Sequence, residues 1–173
     1  MKLKYSFAIG VPLLGAAASA SAAELGVNID LPQLKVAEYH KPYVAMWIEK
    51  ADQSFVANLA VLYDIKKQNN GGEKWLKDMR QWWRKSGRDL QMPVDGVSGA
   101  TRAPGEHSLG FVAGKTPLGT LPAGDYQLVV EAAREAGGRE VVKVPFAWPP
   151  KSAKTVSTQG QEELGKVSVQ LKP

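Results

Sequence analysis

Apolar and polar positions follow a strand-like repeat through much of this chain. Residues 43–49 read Tyr-Val-Ala-Met-Trp-Ile-Glu, a β-rich run, and residues 51–54 (Ala-Asp-Gln-Ser) are polar enough to turn. The pattern then returns over 55–63 with Val56, Leu59, Val61 and Leu62, so the two runs predict a hairpin. A turn at Ala123-Gly124-Asp125 precedes Tyr126, Leu128 and Val130, which alternate with Gln127, Val129 and Glu131. That alternation suits a strand with two differently packed faces. Residues 135–139 (Glu-Ala-Gly-Gly-Arg) form the next hairpin loop. Val141, Val142 and Val144 lie on the returning strand, which extends through Trp148 until Pro149-Pro150 stops it. Near the C-terminus Val167, Val169 and Leu171 alternate with Ser168, Gln170 and Lys172, a half-buried final strand. Short strands at this spacing predict a mainly-β sandwich.

One stretch changes period. Gly71-Gly72 precedes residues 73–86, and Gly87 ends them. Trp75, Leu76, Met79, Trp82 and Trp83 recur on one helical face, while Lys74, Lys77, Arg80, Arg84 and Lys85 lie largely on the rest. The spacing predicts a single inserted amphipathic helix over 73–86, with tryptophans turned to the sheet. Residues 87–110 are rich in Gly and Pro, with little periodicity, and predict a long functional loop. Residues 151–166 are polar and predict a mobile connection.

The N-terminus bounds the compartment. Lys2 and Lys4 precede an apolar stretch at 7–14, and Ala18-Ser19-Ala20-Ser21-Ala22-Ala23 offers small-x-small cleavage sites. This is the pattern of a secretory signal, with cleavage expected after Ala22 or Ala23 and a single domain over 24–173. The apolar stretch is too short to span a bilayer. Loss of Lys2 and Lys4 takes the net charge from +5 to +3 (20 basic against 17 acidic residues), which gives no argument for nucleic acid. There is no cysteine, so disulfides, thiolate nucleophiles and cysteine-ligated metals are excluded. His40 and His107 are the only histidines and show no metal-ligand spacing. Gly-x-Ser-x-Gly, Gly-x-Gly-x-x-Gly and Walker patterns are absent.

Candidate chemistry centres on residues 95–101, Asp-Gly-Val-Ser-Gly-Ala-Thr. Gly96 and Gly99 give backbone freedom, Ala100 adds little bulk beside Thr101, and Pro93 and Pro104 bracket the segment. A threonine hydroxyl is a poor nucleophile in water, so any modification there needs an enzyme that deprotonates and aligns it. Asp95 is placed to cap the turn or to meet that enzyme, and Ser98 to steady the turn. The segment resembles the Asp-x-x-Ser/Thr-Gly-Ala-Thr signal of exported flavoproteins, matched at Asp95, Ser98, Gly99, Ala100 and Thr101. That signal is read by FAD:protein FMN transferases and occurs in the sodium-pumping quinone reductase. The resemblance implies FMN bonded through a phosphoester to Thr101, on a chain that is a transferase substrate and not itself an enzyme.

A longer resemblance rests on residues 42–49, 74–78, 99–105 and 124–132. Together they are similar to a predicted periplasmic family, domain of unknown function 2271, whose outline is immunoglobulin-like. That resemblance implies an immunoglobulin-like β-sandwich that exchanges electrons with a PepSY-type membrane flavin or haem reductase. The chain departs from the family where relatives tend to carry Trp-Asp-Gly, having instead Gly110-Phe111-Val112-Ala113-Gly114. Around the flavin, Trp82, Trp83 or Phe111 are candidates for stacking, and Arg102 or Lys115 for the phosphate or reduced ring. His107, six residues after Thr101, is a candidate proton donor. Two other readings remain open on sequence grounds: a non-redox periplasmic binding module on the same fold, and an enzyme with noncovalent flavin.

Overall fold

A computed structural model describes residues 22–173, and the expected signal segment falls almost wholly on residues 1–21, outside the described residues. The described strands are β1 (Glu24–Leu31), β2 (Tyr43–Lys50), β3 (Phe55–Tyr63), β4 (Ser98–Ala100) and β5 (Gly105–Val112). They continue with β6 (Gly124–Ala133), β7 (Arg139–Trp148), β8 (Lys154–Gln159) and β9 (Lys166–Lys172). One sheet has the order β5-β1-β9-β8 and the other β4-β3-β2-β6-β7. The architecture is the expected mainly-β sandwich. Among the described residues no helix is long and apolar enough to cross a membrane.

Alternation along the strands sorts side chains into two cores. Leu25, Val27, Ile29 and Leu31 of β1 meet Val44, Met46 and Ile48 of β2, and Leu128 and Val130 of β6, between the sheets. Ala45 and Trp47 of β2 and Val129 of β6 face the opposite way, into a second core. β2 is therefore buried on both sides, which explains an apolar run where an ordinary sandwich strand would alternate with polar residues. The second core is closed by the chain between β3 and β4, which contributes Leu76, Met79, Trp82 and Val97.

That covering segment differs from the predicted single helix. Residues Glu73–Asp78 form a 3-10 helix, and α1 (Arg80–Lys85) follows a break at Met79 (φ −76°, ψ 73°). The break frees backbone N–H groups at the start of α1. The first N–H groups of an α-helix lack intrahelical acceptors, and here a fully buried carboxylate on β6 supplies them. Glu131 accepts hydrogen bonds from the backbone N–H of Gln81 (3.1 Å) and Trp82 (2.7 Å), and from Arg139 Nη1 (2.8 Å). The apolar face survives the break because Leu76, Met79 and Trp82 still point at the sheet.

Three further expectations are corrected. The stretch 87–110 is not one loop: β4 pairs with the outer edge of β3, and β5 with β1. The 151–166 connection holds β8, paired antiparallel with β9 from Lys154↔Leu171 to Gln159↔Lys166. Its turn is pinned by Glu140, whose carboxylate accepts N–H groups from Gln161 (2.6 Å), Glu162 (3.0 Å) and Leu164 (2.9 Å). β1 was not among the expected strands, although Leu25, Val27, Ile29 and Leu31 keep a strict period of two. It begins where the small-residue cleavage segment ends, and that segment masks its start.

Two outcomes follow from these carboxylates. Glu131→Ala leaves the Gln81 and Trp82 N–H groups without acceptors, and unfolding in urea should show a loss of about 1–3 kcal/mol; an unchanged midpoint would mean that α1 is held by its apolar face alone. Burial pushes the Glu140 pKa up, but the backbone N–H groups of Glu162, Leu164 and Gln161 outweigh this and hold it below the ordinary glutamate value. A pKa depressed on folding gives stability that is present above the unfolded value and lost as pH falls through the folded one. Wild type should therefore lose more stability than Glu140→Gln between neutral pH and about pH 3, as read from urea midpoints.

Candidate functional site

The 95–101 motif is built from a turn and an edge strand. Gly96 adopts φ +70°, which a side chain would strain, and so permits the reversal between Val94 and Ser98. Ser98 Oγ accepts the Val94 N–H at 2.9 Å, while Ser98 N–H donates to the Val94 carbonyl at 2.8 Å. The serine hydroxyl is thus engaged in the turn. Asp95 is exposed at the tip, and its carboxylate accepts no hydrogen bond among the described residues. The capping alternative for Asp95 has no counterpart here.

Beyond the turn the motif is not a free loop. Ser98, Gly99 and Ala100 run parallel to Val61, Leu62 and Tyr63. Val61 N–H donates to the Val97 carbonyl (2.9 Å), and Thr101 N–H to the Tyr63 carbonyl (3.1 Å). The edge of β3 would otherwise expose these backbone groups, and the motif satisfies them. Gly99 packs closely: a Cβ there would lie 3.0 Å from Leu62 Cδ2, so the leucine tip would have to give way. This ladder delivers half-buried Thr101 to the end of β3.

Thr101 borders a cavity of about 350 Å³, within the roughly 300–1,000 Å³ span of small-molecule and cofactor sites. Tyr39, Tyr43 and Trp75 supply three aromatic walls. Tyr43, at the start of β2, donates its hydroxyl to the Gly72 carbonyl (3.1 Å) and stands edge-on to Tyr63, with centroids 6.2 Å apart. Lys74 Nζ lies 4.9 Å from the Trp75 ring centroid, a cation–π contact. Trp75 Nε1 is buried and is the one such side-chain polar atom without a hydrogen-bond partner among the described residues.

The polar walls are mixed in sign. Lys41, Lys67 and Arg134 face Asp64, Asp78 and Glu135. His40 lies 3.4 Å from Glu38 and 3.8 Å from Glu135, tying the β1–β2 connection to the β6–β7 hairpin. Arg134 is already committed: its guanidinium makes a two-pronged pair with Glu163 (3.0 and 2.9 Å), and both side chains are almost closed to water. The Glu163 hydrogen bonds raise the Arg134 pKa further, against the effect of burial, so it stays charged. Burial raises the pKa of Tyr39, with Arg134 opposing and Glu163 adding, and burial likewise raises that of Tyr43. Both phenols therefore stay protonated at neutral pH.

The predicted neighbours of Thr101 are dispersed. Arg102 is exposed and lines no part of this cavity. His107 sits on β5 in the other sheet, with Nε2 2.7 Å from the Ala103 carbonyl, where it fastens the turn that follows Thr101. Trp82 is fully buried, and its Nε1 donates to Asn58 Oδ1 (2.8 Å). Trp83 borders a separate depression with Leu90 and Met92, Phe111 belongs to the inter-sheet core, and Lys115 is exposed between β5 and β6. None of these residues lines the Thr101 cavity. The rings that do line it lie 26 or more positions earlier in the chain, at Tyr39, Tyr43 and Trp75. Of these, Trp75 carried a signal as a member of the predicted apolar helical face, and Tyr43 as the first residue of a predicted strand.

Glu163→Ala would strand the Arg134 charge in the cavity wall. Denaturant unfolding should show a loss of about 3–5 kcal/mol, whereas a loss below about 1 kcal/mol would place that charge in water.

No curated protein and no solved structure matches the chain. The family model described as "Predicted periplasmic protein (DUF2271)" matches residues 24–166, from the start of β1 to the start of β9. The cavity walls and the motif fall within that match, and the chain belongs to this family of predicted periplasmic proteins.

Proposed function

We propose that the chain is a periplasmic electron carrier whose FMN is bonded by a phosphoester to Thr101. The observation that carries this reading is that the last residue of the Asp-x-x-Ser-Gly-Ala-Thr motif borders a cavity with three aromatic walls, one of them a tryptophan whose buried Nε1 has no hydrogen-bond partner among the described residues. The donor set fits the cofactor. Tyr39, Tyr43 and Trp75 offer faces or edges to a planar ring. Lys41 and Lys67 are exposed ammonium groups able to neutralise a phosphate, while the Arg134 charge is shared with Glu163.

Attachment needs an FAD:protein FMN transferase. The Thr101 Oγ1–phosphorus bond forms as the pyrophosphate bond of FAD breaks; AMP leaves, and the hydroxyl proton passes to a base of the transferase. Asp95 projects from the turn as a contact for that enzyme. β4 is a three-residue edge strand, so lifting it from β3 to present Thr101 breaks few hydrogen bonds. Once bound, FMN supplies a ring that takes up or releases one or two electrons. The covalent bond holds it at this site regardless of affinity, which matters outside the cytoplasm. A PepSY-type membrane flavin or haem reductase is the proposed exchange partner.

The test is co-expression with an FMN transferase, followed by denaturation, fluorescence imaging of the gel and intact-mass measurement. Wild type should gain the mass of one FMN and stay fluorescent, and Thr101→Ala should do neither. Ser98→Ala should still be modified, while losing about 1 kcal/mol of stability with the Val94 acceptor. Fluorescence on Thr101→Ala would move the acceptor elsewhere. Colourless wild type of unmodified mass would leave a non-redox binding module.

A further inference from the structure

We propose that the tricyclic ring of the flavin is seated in the Tyr39–Tyr43–Trp75 cavity and turns with the domain, and that Trp75 Nε1 is its hydrogen-bond donor. This inference rests on the FMN reading above but adds to it, because a flavin bonded to Thr101 has two possible states. It can swing on the loop in solvent, or it can pack against the protein.

The arrangement around Thr101 favours packing. The threonine is not on a free loop: its own N–H is bonded to the Tyr63 carbonyl, and His107 holds the following turn through Ala103. A group bonded to Thr101 is therefore released beside the cavity. Part of the cavity wall is fixed independently of any ligand. Tyr43 is tied to Gly72, Arg134 to Glu163, and His40 lies between Glu38 and Glu135. A largely preformed aromatic site loses little conformational entropy when a planar ring enters.

Trp75 adds an unmet hydrogen bond. A buried donor without an acceptor is destabilising. The Trp75 N–H is shut off from water, although the residue as a whole is only half-buried. A small tilt of the indole toward the cavity gives it an acceptor when one is present. The carbonyl oxygens and ring nitrogens of a flavin are such acceptors, and a hydrocarbon chain carries none. Tyr39 and Tyr43 remain neutral phenols and add no charge against the ring.

Seating has an optical consequence. Indole and phenol rings in contact with an excited flavin donate an electron to it and quench its emission. The experiment uses transferase-modified full-length protein, with its load of one FMN verified by mass. Time-resolved anisotropy of the flavin should decay with the tumbling of the whole domain, and emission should rise several-fold on denaturation. Trp75→Phe keeps an aromatic wall but removes the N–H and the best electron donor; it should carry the same FMN mass, emit more brightly when folded and show a faster anisotropy component.

A dominant sub-nanosecond depolarisation in wild type, the range of free side-chain and loop-tip motion, would overturn the seat while leaving the attachment at Thr101 intact. So would equal emission before and after denaturation. Unmodified mass would instead defeat the FMN reading itself. For that case the unmodified protein is titrated with riboflavin: saturable quenching, weakened in Trp75→Phe, supports the ring site without the bond, and its absence removes both.

Discussion

Burial of the β4-β3-β2-β6-β7 sheet on both faces is the constraint from which the rest of the molecule follows. One face packs on the second sheet, and the other has no sheet to cover it. Trp47, Val61, Tyr63 and Val129 on that face would meet water without the excursion between β3 and β4. Each fully buried side chain of this size gains about 1.5–3 kcal/mol from leaving water, so the excursion is drawn down onto the sheet. Leu76, Met79 and Trp82 complete the layer.

Covering a sheet with helical turns leaves free N–H groups at the start of α1, and the interior also admits glutamates that bridge its layers. Glu131 takes the free N–H groups of α1 and balances its charge with Arg139. Glu49 accepts Trp47 Nε1 at 2.9 Å and lies 3.3 Å from Lys85 and 3.4 Å from Lys143, joining the helical layer to β7. Glu163 serves the other side, joining the β8–β9 turn to Arg134 and to the Gly138 N–H. In each case a carboxylate is admitted to the interior where it has a cation and N–H donors together, the condition under which a buried charge is tolerated.

The candidate site is a by-product of the same packing. The excursion leaves β3 and must return to the sheet, and the unpaired edge of β3 is where it does so. β4 forms there, and its last hydrogen bond, from Thr101 to Tyr63, marks the end of both strands. The connection between β1 and β2 brings Tyr39 to that end, β2 brings Tyr43, the 3-10 helix brings Trp75, and the β6–β7 hairpin brings Arg134 and Glu135. Segments distant in sequence thus converge beside one threonine.

The sequence by itself determined the strands with a clear period, the hairpins at 51–54 and 135–139, and the two-faced packing of β6. These are local properties: side-chain alternation and turn chemistry are both encoded within a few consecutive residues. Only the tertiary structure decided that Ser98–Ala100 is a strand, because its partner edge, Val61–Tyr63, lies far earlier in the chain. It also decided how the broken helix is capped, since the carboxylate that accepts its first N–H groups is on β6. The same holds for the aromatic neighbours of Thr101. Trp82 carried a strong helical signal and is spent in the core, whereas Tyr39, in a segment without periodicity, stands at the cavity. Periodicity reports which face of an element is buried. It carries no information about which buried faces, brought together by long-range pairing, leave a space between them.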